Sequence, residues 1–343
     1  METVFISNLK NMLDALAKDM NVYVPKKTSE HYIFSIYDPN ASTPVEFNDI
    51  RTCEPVKEFL FPVREPAAVY PSPSQPDEIR PFAVFGLKEC DLRSIEILDK
   101  VFIEDDFVDP LYTARREKMF IIASDCTEPG ETCFCNIFGS SGHPQAGFDL
   151  NVAKIKDGFI IESGSQKGRD FLAANSTLFA DAPHAAVKER DENRRKTLDQ
   201  LAKNNADLKF DASLKEIVED IDDTEIYDEA AETCIECQAC TRVCPTCHCF
   251  YLYDTSQKDY FAKMKMWDSC MRMAYAAVAG GENPRKVLGD RMHHRMLHKF
   301  VYFLERYGLD MCVGCGRCVD ADAGGMDIRN LFKEMDEQRK AKT

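Results

Sequence analysis

Fifteen cysteines occur in this chain, and seven of them fall into two runs whose spacing carries a specific chemistry. In CIECQACTRVCP, Cys234, Cys237, Cys240 and Cys244 are separated by two, two and three residues and followed by Pro245. Three thiolates two residues apart on a tight loop reach three corners of one iron–sulfur cubane, and a fourth on a proline-terminated turn points away to a second cluster. Such a run expects a partner. CVGCGRCVDAD supplies it, with Cys312, Cys315 and Cys318 at the same spacing and Gly314 and Gly316 relieving the crowded loop backbone. Four thiolates also suit a closed tetrahedral zinc site, but zinc ribbons use two separate Cys-x-x-Cys knuckles rather than three cysteines in succession. Two [4Fe–4S] clusters are the expectation.

The second run departs from the pattern at its last position, where Asp322 stands in place of cysteine and no proline follows. Paired as in two-cluster ferredoxins, one cluster takes Cys234, Cys237, Cys240 and residue 322, and the other takes Cys312, Cys315, Cys318 and Cys244. Three outcomes are open for the first: carboxylate ligation, a missing iron, or replacement by a nearby thiolate, with Cys247, Cys249 and Cys270 as candidates. A hard oxygen matches iron–sulfide less well than thiolate, so it would alter the potential and make that corner exchangeable. The plainer alternatives are Asp322 as a surface residue and the three thiols as small buried hydrophobes. Cys247 and Cys249 lie in PTCHCF, and Cys270 lies in MKMWDSCMRM, which reads as a helix.

A second cysteine group precedes these runs: Cys90 in KECD, then Cys126, Cys133 and Cys135 in SDCTEPGETCFC. Phe82–Leu87 and Met119–Ala123 are continuous apolar stretches of the kind found in strands buried on both faces, and a cysteine follows each closely. Asp91 can cap a helix carrying Leu92, Ile95 and Leu98. Because ligands gather beyond the carboxyl ends of strands in open α/β sheets, the four thiols could form a third site, or be unrelated.

The elements that must position these groups fall into three parts. Residues 1–185 read as a mixed α/β domain, with an amphipathic opening helix, β-rich runs at Asn21–Pro25 and His31–Tyr37, and an irregular proline-rich stretch from Pro62 to Pro81. Residues 186–232 read as a polar, acidic helical connector: from Asp211 to Glu232 ten acidic residues face one basic one, Lys215. Residues 233–343 read as a mainly helical, bacterial-ferredoxin-like two-cluster domain. Within it Arg285–Arg306 is expected as an amphipathic helix burying Met292, Met296, Phe300 and Phe303, its cations offsetting cluster charge, with His293, His294 and His298 structural.

At 343 residues the chain can bury its own core, so thiol–metal chemistry is not needed merely to hold it together. No stretch reaches the roughly 18 uninterrupted apolar residues of a membrane span. A net charge of −15 disfavours nucleic acid as a partner. The opening METVFISNLKNMLDALAKDM lacks the pattern of a signal peptide, and with so many cysteines a reducing, cytoplasmic compartment is expected. Neither a Gly-x-Gly-x-x-Gly loop nor a phosphate-binding loop occurs, and no hydroxyl nucleophile is paired with a base.

The stretches FPVREPA, FGLKECDLRSIEILD, DPLYTARREKMFI, CTEPGETCFC, CPTCHCF, WDSC, RMHHRMLHKFVYF and CVGCGRC together resemble the β subunit of cytoplasmic sulfhydrogenase-type [NiFe] hydrogenases and, equally, the A-type subunit of anaerobic sulfite reductase. The resemblance spans about Val22 to Ile328. It implies an electron-transfer subunit of a hetero-oligomeric complex, linking a flavin/NAD(P)-binding subunit to a catalytic redox subunit. It also favours a third cluster at Cys90, Cys126, Cys133 and Cys135, and cysteine would be expected at position 322. Two rivals stand beside this reading: a subunit with its own reductive site at an incompletely ligated cluster marked by Asp322, and a zinc-stabilised scaffold or binding module.

Overall fold

The computed structural model describes residues 2–41, 44–71, 79–221, 224–256 and 258–342. The chain divides into two compact units, Met1–Leu60 with Glu78–Asn204, and Phe61–Asp77 with Asn205–Thr343.

The first unit is mixed α/β. Its eight-stranded sheet runs in the order Tyr32–Ile36, Asn21–Lys27, Phe82–Leu87, Met119–Ser124, Leu150–Ile155, Gly158–Ser163, Thr3–Ile6, Ala180–Asp181. The second to fifth strands are mutually parallel and the flanking pairs antiparallel. The two uninterrupted apolar runs occupy the centre, and every residue of both is buried, as their pattern demands. Gly86 breaks the register beside Leu87 at φ +91°, and a Cβ there would meet Asn48 Oδ1 at 2.5 Å. Only glycine fits that close approach. Opposite it, Asn48 Nδ2 donates to the Gly86 carbonyl at 2.7 Å, tying a loop to the strand end.

Helix Glu89–Phe102 follows at once, burying Leu92, Ile95 and Leu98. Asp91 caps it from inside the first turn, its carboxylate accepting from the Lys88 amide at 3.1 Å. Residues 186–232 are shared between the units: helix His184–Asn204 lies against the sheet of the first, and the chain from Asn205 belongs to the second. Of the acidic run, Asp222 and Asp223 lie outside the described residues.

In the second unit the stretch expected to be irregular contains a strand, Arg64–Tyr70, while residues 72–78 lie outside the described residues. The strand survives its proline because it is an edge strand and the register shifts near Pro66, where no amide is available for the ladder. It pairs with Phe261–Trp267, which pairs in turn with Phe250–Ser256. This hairpin also corrects the helix expected around Cys270. The Lys–Met–Lys–Met–Trp alternation has period two, and Cys270 lies in the turn beyond the strand. The remaining scaffold is helical: Leu288–Leu297 continues through a π-helical turn at His298–Tyr302 into Phe303–Tyr307, and Ile328–Lys342 closes the chain. Met292, Met296, Phe300 and Phe303 are buried as expected.

Candidate metal centres

The two ferredoxin-type runs fold alike. In each, the residues just before and just after the second cysteine have left-handed backbone: Glu236 (φ 55°) and Gln238 (φ 64°) in the first, Gly314 (φ 61°) and Gly316 (φ 75°) in the second. A short helix then carries the third cysteine, Ala239–Arg242 for Cys240 and Arg317–Asp320 for Cys318. Left-handed residues in tight turns are the backbone from which anion-binding nests at iron–sulfur sites are built. Glycine adopts this backbone freely, whereas Glu236 and Gln238 do so at a cost of roughly 1–2 kcal/mol each. Interactions at the loop hold them: Arg291 pairs with Glu236 at 3.1 Å, and Arg242 donates to the Gln238 side chain at 3.1 Å.

Cys240, Cys244, Cys312 and Cys315 are buried, Cys234 and Cys318 partly so, and Cys237 is exposed. Two buried cations from the long helix stand among them. Lys299, in the π-helical turn, places Nζ 3.4 Å from Cys244 Sγ, 2.8 Å from Thr246 Oγ1 and 3.4 Å from the Met311 carbonyl. Burial alone would strip its proton, but the sulfurs of Cys244, Cys247 and Cys312 more than reverse that and raise its pKa. Arg295, one turn earlier, is likewise raised against burial by Cys240, Cys318, Cys247 and Cys270. The thiols respond oppositely: burial pushes Cys312 up to about 11 and Cys270 to about 12. Neutral thiols around buried cations would leave those cations uncompensated, which is costly in a low-dielectric interior. An iron–sulfide–thiolate cluster brings the missing negative charge and deprotonates its ligands, so the donor set fits one.

Asp322 sits beside the first loop. Its Oδ1 accepts from the amides of Gly324 at 2.9 Å and Met326 at 3.2 Å, closing a turn that lays Gly324 against Thr233. A Cβ on Gly324 would meet the Thr233 carbonyl at 2.3 Å. Asp322 also lies in the field of Cys240. Cys247 and Cys249 are partly buried, and the Tyr275 hydroxyl reaches Cys249 Sγ at 3.6 Å. Cys270 is buried near Cys249 and Cys240.

In the first unit, Cys126 follows the central strand Met119–Ser124, Cys133 is buried, Cys135 opens a 3-10 turn, and Cys90 is in the first turn of helix Glu89–Phe102. Cys126, Cys133 and Cys135 act on one another electrostatically, and burial pushes Cys126 and Cys135 up to about 12. Glu89 ties the start of the Cys90 helix to the Cys135 loop, accepting from Ser140 Oγ at 2.6 Å and the Ser141 amide at 3.1 Å. A buried cation recurs here. Lys88 Nζ donates to the carbonyls of Asn48 (2.5 Å) and Asp125 (2.8 Å) and to Ser124 Oγ (2.8 Å), with burial lowering it to about 8. Sequence reasoning passed over Lys88 and Glu89, although a charged pair between a buried strand and a cysteine is a legible signal. It also gave Cys53 no role; its amide donates to the Tyr32 carbonyl at 2.8 Å.

Residues 233–326 match the family model of the 4Fe-4S dicluster domain. Sulfhydrogenase 2 subunit beta of Pyrococcus furiosus is 34% identical over 310 residues, which cover 87% of this chain and 86% of that protein. The chain belongs to the sulfhydrogenase β-subunit family.

As a member of that family it is an iron–sulfur protein of electron transfer, and the dicluster match encloses both loops, Asp322 and the three additional thiols. The likeness to the sulfhydrogenase β subunit is not confined to that domain, since it extends over most of the chain. Among the described residues no helix is long and apolar enough to cross a membrane.

Proposed function

We propose that this chain is the relay subunit of a hetero-oligomeric redox complex in the cytoplasm, taking electrons singly from a flavin/NAD(P)-binding subunit, then delivering them to a catalytic redox subunit. The observation that carries the reading is the pair of like-folded cysteine loops with Lys299 and Arg295 buried among their sulfurs. Cys234, Cys237 and Cys240 would hold one [4Fe–4S] cluster, and Cys312, Cys315, Cys318 and Cys244 the other. When bound, such clusters supply one-electron storage at potentials set by burial, charge and hydrogen bonds to sulfur. The protein's own part is then electrostatic and geometric. The Gly314 amide bonds the Cys312 sulfur, Lys299 donates toward Cys244, and burial of Cys240, Cys244, Cys312 and Cys315 excludes water from their sulfurs.

Cys90, Cys126, Cys133 and Cys135 would hold a third cluster, with Lys88 in the place that Lys299 takes in the second unit. Cys126 just beyond a central parallel strand, with Cys133 and Cys135 in its field, supports this.

Anaerobically purified protein tests the whole reading. A brown chain with about twelve irons and matching sulfide supports three clusters, and about eight supports two. A colourless zinc protein would overturn the relay in favour of a scaffold. Substrate reduction by the isolated chain would instead place a reductive site on it. A Cys133→Ser chain that keeps every iron would remove the third cluster alone.

A further inference from the structure

The first loop has three cysteines and needs a fourth ligand, and the position where the ferredoxin pattern supplies one holds Asp322. Its Oδ1 already accepts from two amides of the turn that seats Gly324 on Thr233. Ligation of iron by Asp322 would have to use Oδ2, a hard oxygen that matches iron–sulfide less well than a thiolate does.

A thiol is available on the other side. The turn after strand Phe261–Trp267 is stapled to the helix of the first loop: the hydroxyls of Thr241, next to Cys240, and Ser269 are hydrogen-bonded at 2.8 Å, and both residues are buried. Ser269 Oγ in turn accepts from the Met271 amide at 3.2 Å, and Arg242 reaches the Trp267 carbonyl at 3.3 Å. Cys270, between Ser269 and Met271, is thereby held beside the Cys240 helix. It is 7% exposed, whereas Cys247 and Cys249 are only partly buried. Arg295, buried in the field of both Cys240 and Cys270, offers the positive charge that a thiolate there would need.

We propose that Cys270 is the fourth ligand of the cluster held by Cys234, Cys237 and Cys240, and that Asp322 caps a turn instead of binding iron. The assignment rests on the relay reading, in which that loop holds a cluster. Ligation forms one iron–sulfur bond and releases the Cys270 proton to solvent, with no change in oxidation state. The site keeps four soft ligands despite the aspartate, which is the coordination that iron–sulfide prefers.

The test uses the full chain, produced and reconstituted anaerobically, as wild type, Cys270→Ser, Cys247→Ser, Cys249→Ser and Asp322→Asn, read by iron content and by EPR after mild oxidation. The expected result is a three-iron cluster signal and the loss of about one iron per chain in Cys270→Ser only. A three-iron signal in Asp322→Asn, or in the wild type itself, overturns the assignment, as does a Cys270→Ser chain that keeps its four-iron cluster. Should Cys270→Ser fail to fold, Asp322→Asn still decides: retention of the cubane excludes the carboxylate, and Cys247→Ser and Cys249→Ser, each keeping the cubane, then leave Cys270. A wild type that takes up no iron fails differently, because it removes the relay reading itself.

Discussion

Lys299 Nζ lies 3.4 Å from Cys244 Sγ, with Thr246 Oγ1 3.2 Å from the same sulfur and 2.8 Å from the lysine. Reduction adds negative charge to a cluster, so a buried cation at one ligand favours the reduced state. Lys299→Met should lower the midpoint potential of one cluster and leave the others in place. A tenfold change in a one-electron equilibrium is about 59 mV, and a charge-assisted hydrogen bond is worth about 1.5–3 kcal/mol, so a shift of up to about 65–130 mV is expected. Potentiometric EPR titration measures it, and an unchanged set of midpoints would show that the lysine does not tune the site.

The left-handed positions should tolerate substitution unequally. Gly314→Val places a β-branched residue at φ 61° and should impair loading of the second loop, seen as lost iron or faster bleaching in air. Gln238→Gly, at φ 64° in the first loop, removes strain of roughly 1–2 kcal/mol and should load at least as well as wild type. Equal loading of Gly314→Val would mean that the backbone turn is not required.

Acid should weaken the second unit through two histidines. Burial first, then neighbouring Arg285 for His294 and His248 for His298, lowers both to about 4 from an ordinary 6.5. Between those values the unfolded chain binds more protons than the folded one, so stability falls as pH drops from about 6.5 toward 4. Both rings are partly exposed, so the combined loss is on the order of 2–3 kcal/mol. Urea titrations of the loaded chain at pH 7 and pH 5.5 should differ less in a His294→Gln/His298→Gln double variant. An identical pH dependence would discard the mechanism.

Arg194 anchors the long helix of the first unit to the sheet. Its Nε meets Asp125 Oδ2 at 2.6 Å and a terminal nitrogen meets Glu162, which Arg190 also pairs at 2.8 Å. Asn151 donates to both carboxylates. Removing one partner of a buried pair leaves the other uncompensated, so Arg194→Met should cost about 3–5 kcal/mol. Lys188→Met, on the exposed side of the same helix with Glu192 at 3.9 Å, should cost less than about 1 kcal/mol. Chemical denaturation of the two variants compares them directly.

Local covalent spacing made much of this legible without coordinates. Cysteines two residues apart can only line one small loop, so the dicluster reading followed from CIECQAC and CVGCGRC, and uninterrupted apolar runs at Phe82–Leu87 and Met119–Ala123 had to be central strands. The amphipathic period of Arg285–Arg306 likewise announced which methionines and phenylalanines would be buried. What tertiary structure alone decided depends on contacts distant in the chain. Glu236 and Gln238 accept a glycine-like backbone in a loop held by Arg291 and Arg242. The alternation before Trp267 becomes a strand because Phe250–Ser256 and Arg64–Tyr70 lie on either side to pair with it. Cys270 is held beside the Cys240 helix by the Thr241–Ser269 bond and by Arg242 on the Trp267 carbonyl, and Lys299 reaches Cys244 through a π-helical turn. Spacing along the chain specifies which sulfurs can share a loop; long-range packing specifies which thiol and which cation stand beside them.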